Sequence, residues 1–245
     1  MTSQPTTQDS DAPLAPTESE PLLGRPGDAV QKPNAPMVKN LWLGTGWVAQ
    51  AGAVLLLADV WSGVFMHKTL PLVSPHPLLQ ALGAFTLVEA ILILQPTTSP
   101  ETKRLGQRAH ASLQLLSFVL FLTGITIIET NKHVNHGEHF HSLHGHLGVI
   151  TGVLLLGQYL FGFLVWAVPA AFGGEEKAKA MWKYHRYGGY LLLMLVLATI
   201  VSAVETDYNK GVLDIKMWTV GLAVVLIVIG VFPRIQLSKL GIQRR

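Results

Sequence analysis

The chain has 245 residues, of which 49% are hydrophobic and only 13% charged, with a net charge of +3 and no cysteine. This composition is that of a membrane protein rather than a soluble enzyme. It excludes disulfides and thiolate metal sites, and so small a net charge gives no reason to expect a nucleic-acid partner.

Residues 1–38 are rich in Pro, Thr, Ser, Gln and Asp and read as a disordered N-terminal tail. They have neither the basic start nor the apolar core of a signal peptide. Within them ESEPLL, at 18–23, resembles the acidic dileucine signal that sorts eukaryotic membrane proteins to lysosomes, vacuoles or endosomes. Six apolar runs follow, at 41–65, 76–94, 110–129, 144–168, 185–204 and 212–232. Each is near the roughly 20 residues that span about 30 Å of hydrocarbon as a helix. The runs are continuous rather than alternating, and in lipid only helices and closed barrels satisfy every backbone group, so helices are expected. Pro71, Pro75 and Pro77 break the chain before the second run, Gln95 and Pro96 close it, and Gly173 and Gly174 mark the turn after the fourth. The expected fold is all-α, an integral membrane six-helix bundle over 39–234, with a basic tail at 235–245.

Six spans put both termini on one face. That face collects Arg25, Lys32, Lys39, Lys103, Arg104, Arg108, Lys177, Lys179, Lys183, Arg186, Arg234, Lys239, Arg244 and Arg245, against Lys68, Lys132, Lys210 and Lys216 on the other. A split of 14 to 4 makes both termini cytosolic by the positive-inside rule.

His76, His110, His144 and His185 stand at or near the starts of four successive runs, 34, 34 and 41 residues apart. Consecutive spans alternate in direction, so His76 and His144 lie near the outer face, and His110 and His185 near the cytosolic face. Two imidazoles converging inside a four-helix core, spans two to five, is what a six-coordinate haem needs. Two such sites stacked across a bilayer form an electron path. Gly83, Gly124, Gly148, Gly157, Gly162, Gly188 and Gly189 would let helices or a flat macrocycle approach closely.

The segments SPHPLLQALGAFTLVEAILIL, RAHASLQLLSFVL, FHSLHGHLGVITG and KYHRYGGYLLLMLV resemble the cytochrome b561 core over about residues 41–233, in particular the short eukaryotic members. The resemblance implies two b-type haems held by His76 with His144 and by His110 with His185, the pairing that topology also reaches. It implies a transmembrane oxidoreductase taking electrons from cytosolic ascorbate, or a similar small anionic reductant, to monodehydroascorbate or a ferric chelate outside. Basic residues two and six before the second histidine, Arg108 and Arg104, and six before the fourth, Lys179, match the family's cradle for the reductant. A positive mouth suits a monoanionic enediolate. His133, eleven before the third histidine, matches a position at the outer mouth in some members, whereas Ser142 stands where many have an aromatic residue.

The loop NKHVNHGEHFHSLHGHLG also carries His136, His139, His141 and His146. His141 and His146 are alternatives to His144 as ligand, and the whole set suits a transition metal. That density supports a rival reading, a metal transporter or metal-binding membrane protein, although Glu89 is almost the only ionisable residue at mid-membrane. Glu89 is itself a candidate for hydrogen bonding a cofactor or relaying a proton. Gln80 and Gln114 each follow a key histidine by four residues, on the same helix face, and are candidates for supporting bonds. Phe118, Tyr159, Phe161, Trp166, Tyr184 and Tyr187 are read as packing residues. Lipid is the surrounding partner, a homodimer is allowed, and an endomembrane such as vacuole, lysosome or ER is favoured over the plasma membrane.

Overall fold

The computed structural model describes residues 29–32 and 34–241. Within them six helices are long and apolar enough to cross a membrane, and no strand occurs among the described residues. The chain is an all-helical multi-pass membrane protein. The ESEPLL motif, Arg25, Arg244 and Arg245 lie outside the described residues.

The helices are α1 (Gly46–Phe65), α2 (Pro75–Leu94), α3 (Pro100–Val134), α4 (Leu143–Ala167), α5 (Glu175–Ala203) and α6 (Met217–Val231). Two begin well before their apolar runs. The α3 helix starts at Pro100 because the Ser99 side chain accepts from Thr102 N at 3.1 Å and Pro100 fills the first helical position. It has 35 residues, hence a length of about 52 Å at 1.5 Å per residue. The bilayer takes about 30 Å of this, so its polar first turns stand clear of the hydrocarbon. The α5 helix likewise starts at Glu175, after Gly173 and Gly174 adopt φ of 81° and 107°, a backbone that L side chains rarely take. Two others begin late. Met37–Leu41 is a 3-10 turn, so α1 opens at Gly46. Asn209–Leu213 is a single π turn before α6, knitted by Asn209, which donates to Val204 O and Ile215 O at 2.9 and 3.0 Å and accepts from Ile215 N at 3.2 Å.

Described parts of both terminal segments pack against the end of the bundle. Ala29 and Gln31 are buried, Gln31 N donates to Pro96 O at 3.0 Å, and Asn40 ties Gln31 Oε1 to Ile93 O. Residues 235–241 fold back in the same way. Gln236 Nε2 reaches Ala29 O, Arg186 Nη1 donates to Lys239 O at 2.7 Å, and Tyr187 Oη donates to Leu240 O. Polar residues at a bundle end satisfy helix-terminal carbonyls, which hydropathy does not register.

The apolar core lies between α1, α2, α5 and α6, around Ala53, Leu56, Leu87, Val88, Leu193, Leu197, Val220, Ala223 and Ile227. The α1 and α6 backbones meet closely at Gly52, where a Cβ would stand 2.6 Å from Ala223 O. Phe121 is the one α3 residue among the buried members of that cluster, and α4, whose Val165 is buried elsewhere, adds none to it among the described residues. The side chains through which α3 and α4 meet α2 and α5 include the four histidines.

Candidate functional site

His76 occupies the second position of α2 and its Nδ1 lies 3.0 Å from Gly124 O on α3. His144 occupies the second position of α4, with Nδ1 3.0 Å from Thr199 O on α5. The two rings face each other with centroids 6.1 Å apart at 79°. On the terminal side of the bundle His110 of α3 sets Nδ1 2.7 Å from Ala90 O on α2, and its ring centroid is 6.4 Å from that of His185 on α5, at 86°. A carbonyl only accepts, so Nδ1 carries the proton in His76, His110 and His144, and Nε2 keeps a free lone pair. With a metal–imidazole bond of about 2 Å, two rings on opposite sides of one metal have centres roughly 6 Å apart. Both pairs fit an iron between them.

His185 is supported differently. Gln158 Nε2 of α4 lies 3.1 Å from its Nδ1 and donates to its main-chain carbonyl at 2.7 Å. Here Nδ1 stands as the acceptor, unlike in the other three rings, because the amide nitrogen is held by the main-chain carbonyl, which an amide oxygen could not approach so closely. Glycines make the arrangement sterically feasible: a Cβ at Gly188 would stand 2.8 Å from Gln158 Oε1, and one at Gly162 only 2.5 Å from His185 Cε1. Trp182, one turn before His185, sets its ring edgewise at 5.6 Å. Gln158 and Trp182 were not legible as site residues, although each is polar or aromatic within a helical turn of the HRYGG segment or its neighbour helix. By contrast, a Cβ at Gly148, one turn beyond His144, would meet no protein atom within 4 Å, an open face of the kind a flat ring needs.

The structure brings His144 against His76, and neither His141 nor His146. Both of these are exposed and turn to local carbonyls, Glu138 O and Ser142 O. Ser142 is the cap of α4, accepting from Gly145 N at 3.1 Å, which gives a physical reason for a small hydroxyl residue there. His133 is exposed, and His139 pairs with Glu129 at 2.8 Å. Among the described residues no three His, Cys, Asp or Glu side chains are grouped to hold a metal ion, so nothing in the loop favours the transporter reading. Gln80 does not bond His76; it donates to Phe121 O at 3.0 Å and braces α2 against α3. Phe118 and Tyr159 stack at 5.2 Å, as packing residues do.

Arg104 and Arg108 are exposed and share one stripe of α3. At about 100° per residue that stripe lies roughly 120–160° round the helix from His110. Lys103, seven residues before His110, falls within about 20° of it. Lys179 is exposed and stands 3.8 Å from Glu175. No hydrogen bond or ion pair joins Arg104, Arg108 and Lys179 among the described residues. A second cationic group forms where the C-terminal segment docks: Lys239 Nζ donates to Gln95 O at 2.8 Å and Thr97 O at 2.7 Å. Burial first, then the charges of Arg186 and Lys103, push the Lys239 ammonium from 10.5 down to about 8. An undocked lysine therefore holds its proton to higher pH than the docked one. Between about pH 8 and 10 the undocked form binds more protons, so docking strengthens as pH rises through that window and is level below it. Hydrogen-exchange protection factors of Leu237–Leu240 are expected to rise across the window, and a Lys239→Met variant should abolish the rise.

A family model of eukaryotic cytochrome b561 matches residues 75–210, which takes in all four histidines. The lysosomal membrane ascorbate-dependent ferrireductase of Danio rerio is 28% identical over 133 residues, 53% of this chain and 53% of that protein. The transmembrane ascorbate ferrireductase 2 of Arabidopsis thaliana is 29% identical over 131 residues, 53% and 55% of the two chains. The plasma membrane ascorbate-dependent reductase of Mus musculus is 28% identical over 132 residues, 53% and 44%. The chain thus spans about half the length of the curated relatives it matches.

Proposed function

Because this chain belongs to the eukaryotic cytochrome b561 family, we propose that it is an oxidoreductase carrying single electrons across a membrane, from cytosolic ascorbate or a similar small anionic reductant to a ferric chelate or monodehydroascorbate on the far side. The observation that carries this reading is the pair of facing imidazoles toward each side of the bundle, at 6.1 and 6.4 Å between ring centres. A b-type haem in each pair would supply a reversible one-electron iron couple. His110 with His185 would hold the inner one and His76 with His144 the outer one.

The protein's own groups do the remaining work. The Gly124, Ala90 and Thr199 carbonyls orient three of the rings and keep Nε2 unprotonated. Gln158, Trp182 and Phe161 hold the fourth from three sides. The terminal face, cytosolic by its excess of Lys and Arg, attracts a monoanion. Arg104, Arg108 and Lys179 would serve as its exposed approach. Lys103, Arg186 and Lys239 gather where the C-terminal segment docks, and none of the three has a carboxylate within ion-pair reach among the described residues. At the far face His133 and the exposed loop histidines would meet the acceptor. Relatives named for lysosomal membranes and the ESEPLL motif both support an endomembrane location.

The decisive measurement is an absorption spectrum of the detergent-purified protein, oxidised and then reduced with ascorbate, with haem quantified per polypeptide. Two low-spin b-type haems reduced by ascorbate are expected. Absence of haem from protein produced with ample haem supply would sink the proposal.

A further inference from the structure

One polar cluster inside the bundle has no part in the electron path. Glu89 of α2 is 9% exposed; its Oε2 accepts from Gln50 Nε2 of α1 at 2.8 Å, and its Oε1 has no partner in the protein. Arg234, just beyond α6, is 2% exposed and donates through Nη2 to Asn40 O at 2.6 Å and Leu92 O at 3.1 Å. Its Nε and Nη1 are unpartnered, as are Asn40 Oδ1 and Gln95 Oε1. Arg234 and Glu89 are close enough to feel each other's charge, yet no direct ion pair joins them among the described residues. Leaving two donors and three acceptors dry would be costly, since a buried polar group without a partner bears its full desolvation penalty. Buried water is the ligand that serves donors and acceptors alike, with two to four polar partners per molecule.

The same cluster adjoins the inner histidine pair. Ala90, the residue after Glu89, supplies the carbonyl that orients His110 at 2.7 Å. An electron added to a buried centre of low dielectric is strongly unfavourable unless a positive charge accompanies it. We propose that Glu89, Arg234, Asn40 and Gln95 enclose bound water through which Glu89 takes up one proton from the terminal side when an electron reaches the His110–His185 site, and returns it when the electron leaves. This rests on the haem reading above. Charge balances at each step: one electron in with one proton onto the carboxylate, one electron out toward the outer pair with that proton released to the side it came from. Gln50 from α1 binds Glu89 and Arg234 from the end of α6 lies within reach of its charge; Tyr190 of α5 accepts from Gln95 Nε2 and lies near Arg234, and Arg186 of α5 lies near Tyr190. Lys239 binds the Gln95 carbonyl, and His110 binds the Ala90 carbonyl.

The test is a spectroelectrochemical titration of the haem-loaded full chain over a range of pH, the inner transition being the one lost in His110→Ala. Its midpoint is expected to fall with rising pH at a slope approaching about 59 mV per pH unit, the one-electron equivalent of a tenfold change in proton concentration. Glu89→Gln should flatten the slope and remove a carboxyl band from the infrared difference between reduced and oxidised protein. Arg234→Met, which keeps the carboxyl but deletes the neighbouring charge, should move the sloping region to higher pH. A flat profile in the unsubstituted protein, or a slope unchanged in both variants, overturns the inference while leaving the haem assignment intact. A chain that binds no haem overturns both.

Discussion

Replacing His110 or His185 with alanine is expected to halve the haem bound per polypeptide and to slow reduction by ascorbate about 100-fold or more. Loss of a supporting group around a metal already costs 10–100-fold, and a lost axial ligand removes more than that. The two substitutions should give the same spectrum, because each ring is useless to the iron without the other, 6.4 Å away. Replacing His76 or His144 should delete the other haem, leave the inner one reducible by ascorbate, and block transfer to an outer acceptor. His141→Ala and His146→Ala should retain both haems, since those rings turn to Glu138 O and Ser142 O. Retention of both haems in every one of the four variants would refute the ligand assignments.

Gly162→Val should cost the inner haem almost as completely as His185→Ala, although it removes no ligand. A Cβ there would lie 2.5 Å from His185 Cε1 and 3.0 Å from Nδ1. The ring has no easy retreat, with Trp182 at 5.6 Å and Phe161 at 6.2 Å between centroids and Gln158 against its Nδ1. Overpacking of this kind costs about 1–3 kcal/mol when the surroundings can yield, and here the ligand itself is what must yield. Gly221→Ala on α6, whose Cβ would meet nothing within 4 Å, is the matched control. Circular dichroism should show the helices intact in both proteins, with haem content separating them. Full haem content and unchanged potentials in Gly162→Val would show that His185 can move without losing its role.

These two experiments probe different kinds of information. The six spans, their alternation and the pairing of His76 with His144 and of His110 with His185 were all legible in the chain. A bilayer imposes a one-dimensional rule of length and hydropathy, and histidines at helix starts inherit their face from the count of crossings. The starts of α3 and α5 were not, because their first turns lie outside the hydrocarbon and answer to Ser99, Gly173 and Gly174 instead. Nor was the docking of residues 29–32 and 235–241, where polar groups close helix ends rather than dissolve in water.

The sequence by itself thus determined a membrane-embedded helical chain with four histidines in two facing pairs, through rules that act locally along the chain. Tertiary structure alone decided what each of those rings leans on and which cations share their face. The Ala90 carbonyl is 20 residues from His110, Thr199 is 55 from His144, and Asn40 is 194 from Arg234. Such partners are set by how each helix is rotated about its axis and how deeply it packs. Rotation follows from the sum of all contacts in the bundle, among them the close approach at Gly52 and the buried network of Glu89 and Arg234, and no local pattern of residues encodes that sum.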